Sequence, residues 1–178
     1  MKHTVVRRLG RTVLAAALAG GMLLTGGAAA AVAESAAAPV PAPERKLGPF
    51  GYRGVKLEMS LREARETGKI VRTARSGRCS EWNFRTGPNR RNGPDLFISR
   101  RHGVAAIFAA EGTETRRGIE IGSTRRQLER AYPDLERVAS GYFIASVPRN
   151  PEAHFAFLLS GGEVRQMALV LNRQDCGN

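Results

Sequence analysis

Two stretches of the chain share one pattern of apolar and polar positions, which predicts a short strand followed by an amphipathic helix. The first reads Gly54-Val-Lys-Leu-Glu-Met-Ser-Leu-Arg-Glu-Ala, and the second reads Gly118-Ile-Glu-Ile-Gly-Ser-Thr-Arg-Arg-Gln-Leu. Apolar residues alternate at the start of each stretch, as in a strand with one buried face. A serine or threonine then precedes a glutamate or glutamine by three positions, which is the capping-box signature of a helix start. The two predicted helix starts, Ser60 and Thr124, lie 64 positions apart.

The residues after the first helix predict antiparallel strands. Gly68 is a left-handed stop for the helix, and residues 69–77 are basic and irregular. Residues 79–85 alternate, which predicts a strand with Trp82 and Phe84 on one face. Two further strands are predicted at 96–99 and 104–109, joined by a hairpin and preceded by a Gly- and Pro-rich loop at 86–95.

The second half repeats this order of elements. A short strand with Ile119 and Ile121 leads to a helix that Pro133 bends or ends. The apolar stripe of that helix is Leu128, Ala131 and Leu135. Strands are then predicted at 142–147, 155–159 and 164–171. In the last of these, apolar residues occupy both faces, which indicates a strand covered twice or an outer sheet face that is itself apolar.

A tandem duplication explains the similarity of the halves. The helix starts differ by 64 positions and the later hairpins by 59, and the five-residue difference falls within the longer loop of the first half. A length change confined to a loop is typical of a real repeat, although generic helix and hairpin signals can also agree by chance. The predicted fold class is α+β, with two tandem strand-helix-three-strand repeats, about 54–110 and 118–176, that form a helix-backed, mostly antiparallel sheet.

The Gly54 and Gly118 stretches resemble the repeat of the beta-lactamase inhibitory protein family and of related small outer-membrane lipoprotein domains. This resemblance implies that two repeats lie side by side and that a concave, aromatic sheet face with its loops clamps a protein partner. The positions that it assigns to partner binding are Trp82, Phe84, Tyr142 and Ile144 on the strands and Arg90 and Arg91 in the 87–95 loop. In that family each repeat carries its own disulfide, whereas this chain has one cysteine in each half. Trp82 and Phe84 have a second interpretation, as core residues beneath covering helices.

The first 33 residues have the composition of a signal peptide. A basic segment without acidic residues leads into an apolar run from Thr12, which ends in the small residues Ala31-Val-Ala. An uncleaved membrane anchor is the alternative. Residues 34–46 are rich in alanine and proline and are predicted to be a disordered tether, followed by one domain over 47–178. We therefore expect a secreted, extracellular or envelope-associated protein that has no stable membrane span after cleavage.

The chain is strongly basic, with 28 Lys and Arg against 16 Asp and Glu and a net charge of +12. Almost all of the positive charge of the predicted mature chain is arginine, which is typical of a high-GC genome or of a surface that attracts anions. Local arginine clusters lie at Arg72, Arg75 and Arg78 and at Arg125 and Arg126. They could hold an anionic envelope polymer or lipid; nucleic acid is not expected, because no reader motif is present.

The two cysteines, Cys79 and Cys176, predict a single disulfide in an exported protein, with two separate thiols as the alternative. His102 and His154 are isolated and have no ligand spacing, so no metal site is predicted. No hydrolase elbow, metalloprotease motif or phosphate loop occurs, so no catalytic residue and no cofactor are predicted. The sequence therefore favours a non-enzymatic binding protein over a module that binds envelope polymer, and the resemblance to the family above implies an inhibitor-like role.

Overall fold

The computed structural model describes residues 45–86 and 93–176. The predicted signal peptide, the tether up to residue 44, and Arg90 and Arg91 lie outside the described residues. Within the described ranges no helix is long and apolar enough to cross a membrane.

The described residues form twelve strands and two helices. The strands are β1 (Lys46–Leu47), β2 (Gly51–Tyr52), β3 (Val55–Lys56), β4 (Ile70–Ser76), β5 (Cys79–Phe84), β6 (Leu96–Ser99), β7 (Gly103–Phe108), β8 (Glu114–Thr115), β9 (Glu136–Arg137), β10 (Phe143–Ser146), β11 (Ala153–Ser160) and β12 (Glu163–Leu171). The helices are α1 (Leu61–Glu66), between β3 and β4, and α2 (Arg125–Ala131), between β8 and β9.

Eight of the strands form one sheet in the order β4-β5-β6-β7-β12-β11-β10-β9. Every neighbouring pair in this sheet is antiparallel. The last strand of each half, β7 or β12, therefore lies at the centre, and the earlier strands of each half extend outward from it. The remaining strands form two small pairs, β1 with β8 in parallel and β2 with β3 antiparallel.

One face of the large sheet carries the hydrophobic core. A row of directly opposed core residues crosses six strands, consisting of Trp82, Leu96, Ile107, Leu169, Phe155 and Ala145. Because side chains alternate between the faces of a strand, this row fixes which residues of each strand point away from the core.

The two helices are too short to cover the sheet. The prediction of a helix-backed sheet is therefore not confirmed. Both begin with the predicted capping boxes, at Ser60 and Thr124. Each is shorter than two full turns and buries one residue, Ala64 in α1 and Leu128 in α2. The rest of the core cover includes Tyr52, whose ring packs edge-to-face with Phe84 at a centroid distance of 5.5 Å.

The turn before each helix is held to the sheet by the same pair of backbone hydrogen bonds. Glu58 N–H donates to Val104 O at 3.0 Å, and Val104 N–H donates to Met59 O at 2.8 Å. In the second half, Gly122 N–H donates to Val164 O at 2.8 Å, and Val164 N–H donates to Ser123 O at 2.9 Å.

The central strands also carry matching β-bulges. Between β6 and β7, Phe97 pairs with Ala106 and Ile98 pairs with Val104, so Ala105 is the extra residue. Between β11 and β12, Leu158 pairs with Gln166 and Leu159 with Val164, so Arg165 is the extra residue. Each bulge comes directly after the valine, Val104 or Val164, that holds the turn before the helix to the sheet.

Three sequence-based assignments need correction. Residues 69–77 were expected to be irregular, but Ile70–Ser76 is the edge strand β4, because a tight turn at Gly77 and Arg78 pairs it with β5. The expected strand at Ile119 to Ile121 is absent from the described structure, where Glu120 makes only an isolated bridge to Glu114. Lys46, which was predicted to belong to the tether, lies in β1 and pairs with Glu114 of β8.

Candidate functional site

The outer face of the large sheet, opposite the core, carries a shallow apolar groove. Two rows of opposed residues run through it. The first is Phe97, Ala106, Val170 and His154, and the second is Phe108, Ala168, Ala156 and Ile144. Val138, Ser140, Tyr142 and Gln174 complete the lining of a cavity of about 300 Å³.

Alanine forms the floor of the groove because it has only a Cβ above the sheet. Ala106, Ala156 and Ala168 lie on three adjacent strands in the middle of the sheet, and all three are buried. Larger side chains on either side of them rise as walls. The sequence pattern of apolar residues on both faces of β12 therefore has its explanation in this groove rather than in a second covering layer.

The two walls differ in chemistry. One wall is aromatic, with Phe97 and Phe108 in an edge-to-face arrangement at a centroid distance of 5.8 Å. The other wall combines Ile144 and Val138 with Tyr142, whose hydroxyl donates to Gln166 Oε1. Aromatic residues with one polar end are common in protein-binding surfaces because they offer apolar area at little entropic cost.

His154 contributes a polar edge in a fixed orientation. Its Nδ1 lies 2.9 Å from Asn172 Oδ1, and Asn172 Nδ2 donates to Pro151 O at 2.8 Å. Because the amide nitrogen is committed to Pro151, the Asn172 oxygen is the acceptor, and the proton resides on His154 Nδ1. The ring is thereby held against the groove by the end of β12.

The structure separates the four predicted partner-binding residues on the strands into two groups. Tyr142 and Ile144 line the groove and are half-buried. Trp82 and Phe84 are only 6% and 8% exposed and belong to the core on the opposite face, with Trp82 Nε1 donating to Ser80 Oγ at 2.8 Å. The alternation of the sequence correctly placed Trp82 and Phe84 on one face, but that face is the core face, and both side chains are buried.

Sequence reasoning missed Phe97, Phe108 and the three floor alanines. The signal that could have found them is register: once β7 and β12 are paired, Ala106, Phe108 and Ala168 fall on one face. A single sequence does not reveal that the two halves pair through these strands rather than through their outer ones.

Cys79 and Cys176 form the predicted disulfide bond, which joins the first half of the sheet to the C-terminal residues. Asp175 Oδ1 lies 3.9 Å from both sulfur atoms. The three groups are close enough to surround an ion. However, disulfide sulfurs carry no thiolate charge, so this cluster has the wrong chemistry for a metal site.

A second cavity, of about 490 Å³, brings Ser99 and His102 close together near the disulfide. Ser99 Oγ accepts the N–H groups of Arg101 and His102, both at 3.0 Å. The Ser99 hydroxyl bonds the Asp175 carboxylate and is the main reason that the pKa of Asp175 is lowered, with His102 and Arg78 adding charge attraction. The Ser99 oxygen thus caps the β6–β7 turn and its proton goes to a carboxylate, which is not the arrangement of an activated nucleophile.

Comparisons with known proteins do not place the chain in a family. No protein-family model matches it, and no curated protein matches it. Among solved structures it is similar to the crystal structure of the uncharacterized protein yfeY from Escherichia coli, with 7% identity and a TM-score of 0.41 over 73% of this chain and 98% of that chain. At that TM-score the likeness carries no weight for fold or function.

Proposed function

We propose that this chain is an exported, non-enzymatic binding protein that docks a protein partner in the apolar groove of its sheet. The observation that carries the proposal is the groove itself, with its floor of Ala106, Ala156 and Ala168. Sheet faces of proteins that bind nothing are normally covered with polar side chains, and a concave apolar face marks an interaction site.

The shape of the groove indicates what kind of partner fits. A cavity of about 300 Å³ accommodates one or two large side chains rather than a flat surface. The lining is apolar except for a few polar side chains such as Ser140, His154 and Gln174, and none of its residues is Asp, Glu, Lys or Arg. A loop that projects an aromatic or aliphatic residue matches this chemistry, because a buried anchor in a pocket is where most binding energy concentrates.

We further propose that the two halves are copies of one ancestral unit, as in the inhibitory proteins that the sequence resembles. The matching hydrogen bonds of Val104 and Val164 and the bulges at Ala105 and Arg165 support this, since both pairs are 60 positions apart. β-Bulges tend to persist within families, so two at the same place are a better sign of common origin than the capping boxes alone. In its more specific form, the proposal is that the chain acts as an inhibitor, as the members of that family do. Its partner would then be an exported enzyme.

Site-specific cross-linking tests the proposal. The photoreactive amino acid benzoylphenylalanine replaces Tyr142 in the full chain. This variant is incubated with culture supernatant and envelope extract of cells that make the protein and is then irradiated. The matched control carries benzoylphenylalanine in place of Arg130, an exposed residue of α2. We expect one protein of defined mass to be captured at Tyr142 and not at Arg130.

The captured protein is then purified and titrated against variants of the groove. Ala156→Leu narrows the floor, and Phe108→Ala removes part of one wall; each should weaken binding by about tenfold or more, whereas Arg130→Ala should change it less than twofold. Circular dichroism shows that each variant is folded. Equal capture at both positions, no capture at either, or unchanged affinity of the groove variants would each refute the proposed function.

A further inference from the structure

The free edge of the large sheet, formed by β4, is a second surface with a defined chemistry. β4 has only β5 as a neighbour, so alternate backbone groups on its other side point outward. From Val71 to Arg75 these outward groups have no hydrogen bond to any described residue. Exposed edges of this kind are where a strand from another chain can add.

Four arginines surround a cavity of about 400 Å³ at this edge. Arg72 and Arg75 come from β4, Arg85 follows β5, and Arg65 lies in the last turn of α1. All four side chains are exposed, and none forms an ion pair with a described residue. By contrast, Arg62 and Arg125 pair with glutamates one helical turn away.

A β-bulge brings the two strand arginines to one side. In a regular strand, residues three apart point to opposite faces. Here Arg72 lies opposite Trp82 and Arg75 lies opposite Ser80, because Thr73 is an extra residue between them. Trp82 and Ser80 share a face, since the indole of Trp82 donates to the Ser80 hydroxyl. The bulge therefore concentrates positive charge on one side of the edge, which is a known use of bulges near binding sites.

The same edge also offers apolar area. Leu61 and Val71, which both line the cavity, are 37% and 42% exposed and are two of the three large exposed hydrophobic residues in the described structure. A polyanion such as a sugar phosphate polymer would use the arginines but neither these side chains nor the free backbone groups. A polypeptide strand would use all three.

From these observations we infer that the β4 edge binds an extended, acidic segment of a protein. The segment adds as a ninth strand to β4 through main-chain hydrogen bonds. Its alternate carboxylates lie on the arginine side. The apolar residues between them lie on the other face, next to Val71, which pairs with Asn83. The site is separate from the groove and does not depend on the function proposed for it.

The test uses a blocked ten-residue peptide of alternating glutamate and valine as the probe and the full chain as the receptor. Calorimetry at low salt gives the dissociation constant, and amide exchange by NMR locates the contact. We expect one-to-one binding and slowed exchange of the β4 amides that point away from β5. Arg72→Ala with Arg75→Ala should weaken binding about fivefold to tenfold, and Arg126→Ala with Arg130→Ala, which removes the same charge from α2, less than twofold.

Two further probes separate a strand from a charged polymer. A peptide with the same side chains but N-methyl groups on alternate amides cannot pair with an edge, and we expect its binding to fall at least tenfold. Inorganic polyphosphate carries charge without a peptide backbone and should bind more weakly than the peptide, without protecting the β4 amides. The inference is overturned if the peptide does not bind, if the methylated peptide binds equally well, or if polyphosphate binds as tightly with the same dependence on Arg72 and Arg75.

Discussion

Gly103, the first residue of β7, approaches Met59 so closely that a Cβ on Gly103 would lie 2.5 Å from the Met59 carbonyl oxygen. The backbone of Gly103 also has a φ of +69°, in the left-handed region that favours glycine. Gly103→Ala should therefore lower the free energy of unfolding by about 2–4 kcal/mol, because backbone strain and overlap with a neighbouring backbone add. Urea unfolding followed by circular dichroism measures the loss.

Gly77 provides the matched control for this substitution. Its φ is +52°, but a Cβ there would meet nothing within 4 Å. Gly77→Ala should cost only the strain, about 1 kcal/mol. If the two alanine variants are equally stable, the close approach of β7 to the turn before α1 does not hold.

Trp82 and Tyr142 should respond very differently to truncation, because one is in the core and the other lines the groove. Trp82→Ala should cost about 3–5 kcal/mol, as a large side chain removed from a packed interior. Tyr142→Ala should cost about 1 kcal/mol, mainly the hydrogen bond to Gln166. Trp82 is the single tryptophan, so the comparison is made by circular dichroism rather than by fluorescence. Similar losses for both variants would contradict the assignment of faces.

The disulfide between Cys79 and Cys176 spans 97 positions of the chain. On the chain-entropy account, closing a loop of this length stabilises the fold by about 4–5 kcal/mol. The double variant Cys79→Ser with Cys176→Ser should be destabilised by that amount in urea. A thiol titration of the unsubstituted protein, denatured without reductant, should find no free thiol. Two thiols per chain would disprove the bond.

Asp134, in the turn after α2, makes the stability of the fold depend on pH in the acid range. The Ser146 hydroxyl, and then the Ser146 N–H at 2.8 Å, donate to its carboxylate and lower the pKa of Asp134 below the ordinary 3.8. A lowered pKa in the folded state contributes stability above the ordinary value, and that stability is lost as the pH falls through the folded value. Asp134→Ala should therefore destabilise the protein at pH 7 and pH 5, with the difference from the native chain shrinking by pH 3.

Ser146→Ala is the companion variant for this measurement. It removes the largest cause of the shift while leaving Asp134 in place. Its stability difference from the native chain should shrink over the same pH range. A difference that stays constant between pH 7 and pH 3 for both variants would contradict a carboxylate-dependent contact.

The sequence predicted the features whose signals are local or that have few alternatives. Ser60 with Glu63 and Thr124 with Gln127 are capping boxes that act within one helical turn, and both form. The strand at Leu96–Ser99 and the pairing of Cys79 with Cys176 were also predicted correctly. In each case few alternatives compete, since a helix start has one geometry and two cysteines allow one intramolecular pair.

What the sequence did not show depends on pairing across the chain. β4 carries arginine and threonine at positions where a buried strand would carry apolar residues, because it is an edge strand with exposed side chains on both faces. Ile119 was assigned to a strand because it alternates with the apolar Ile121, but its backbone carbonyl closes a turn by accepting a hydrogen bond from Thr115 N–H. The groove residues could not be grouped, since Ala106 and Ala168 become neighbours only through the β7–β12 contact.

Phe108 and Ala168 face each other across that contact, and they are 60 positions apart, as are the two anchoring valines. Under the proposed duplication they are the same position in the two copies, on the axis that relates them. An ancestor that paired with an identical molecule would have placed two phenylalanines there, which fill the space, or two alanines, which leave one side without a wall. On that proposal, fusion into one chain would release this position from symmetry, so that one copy could become bulky and the other small.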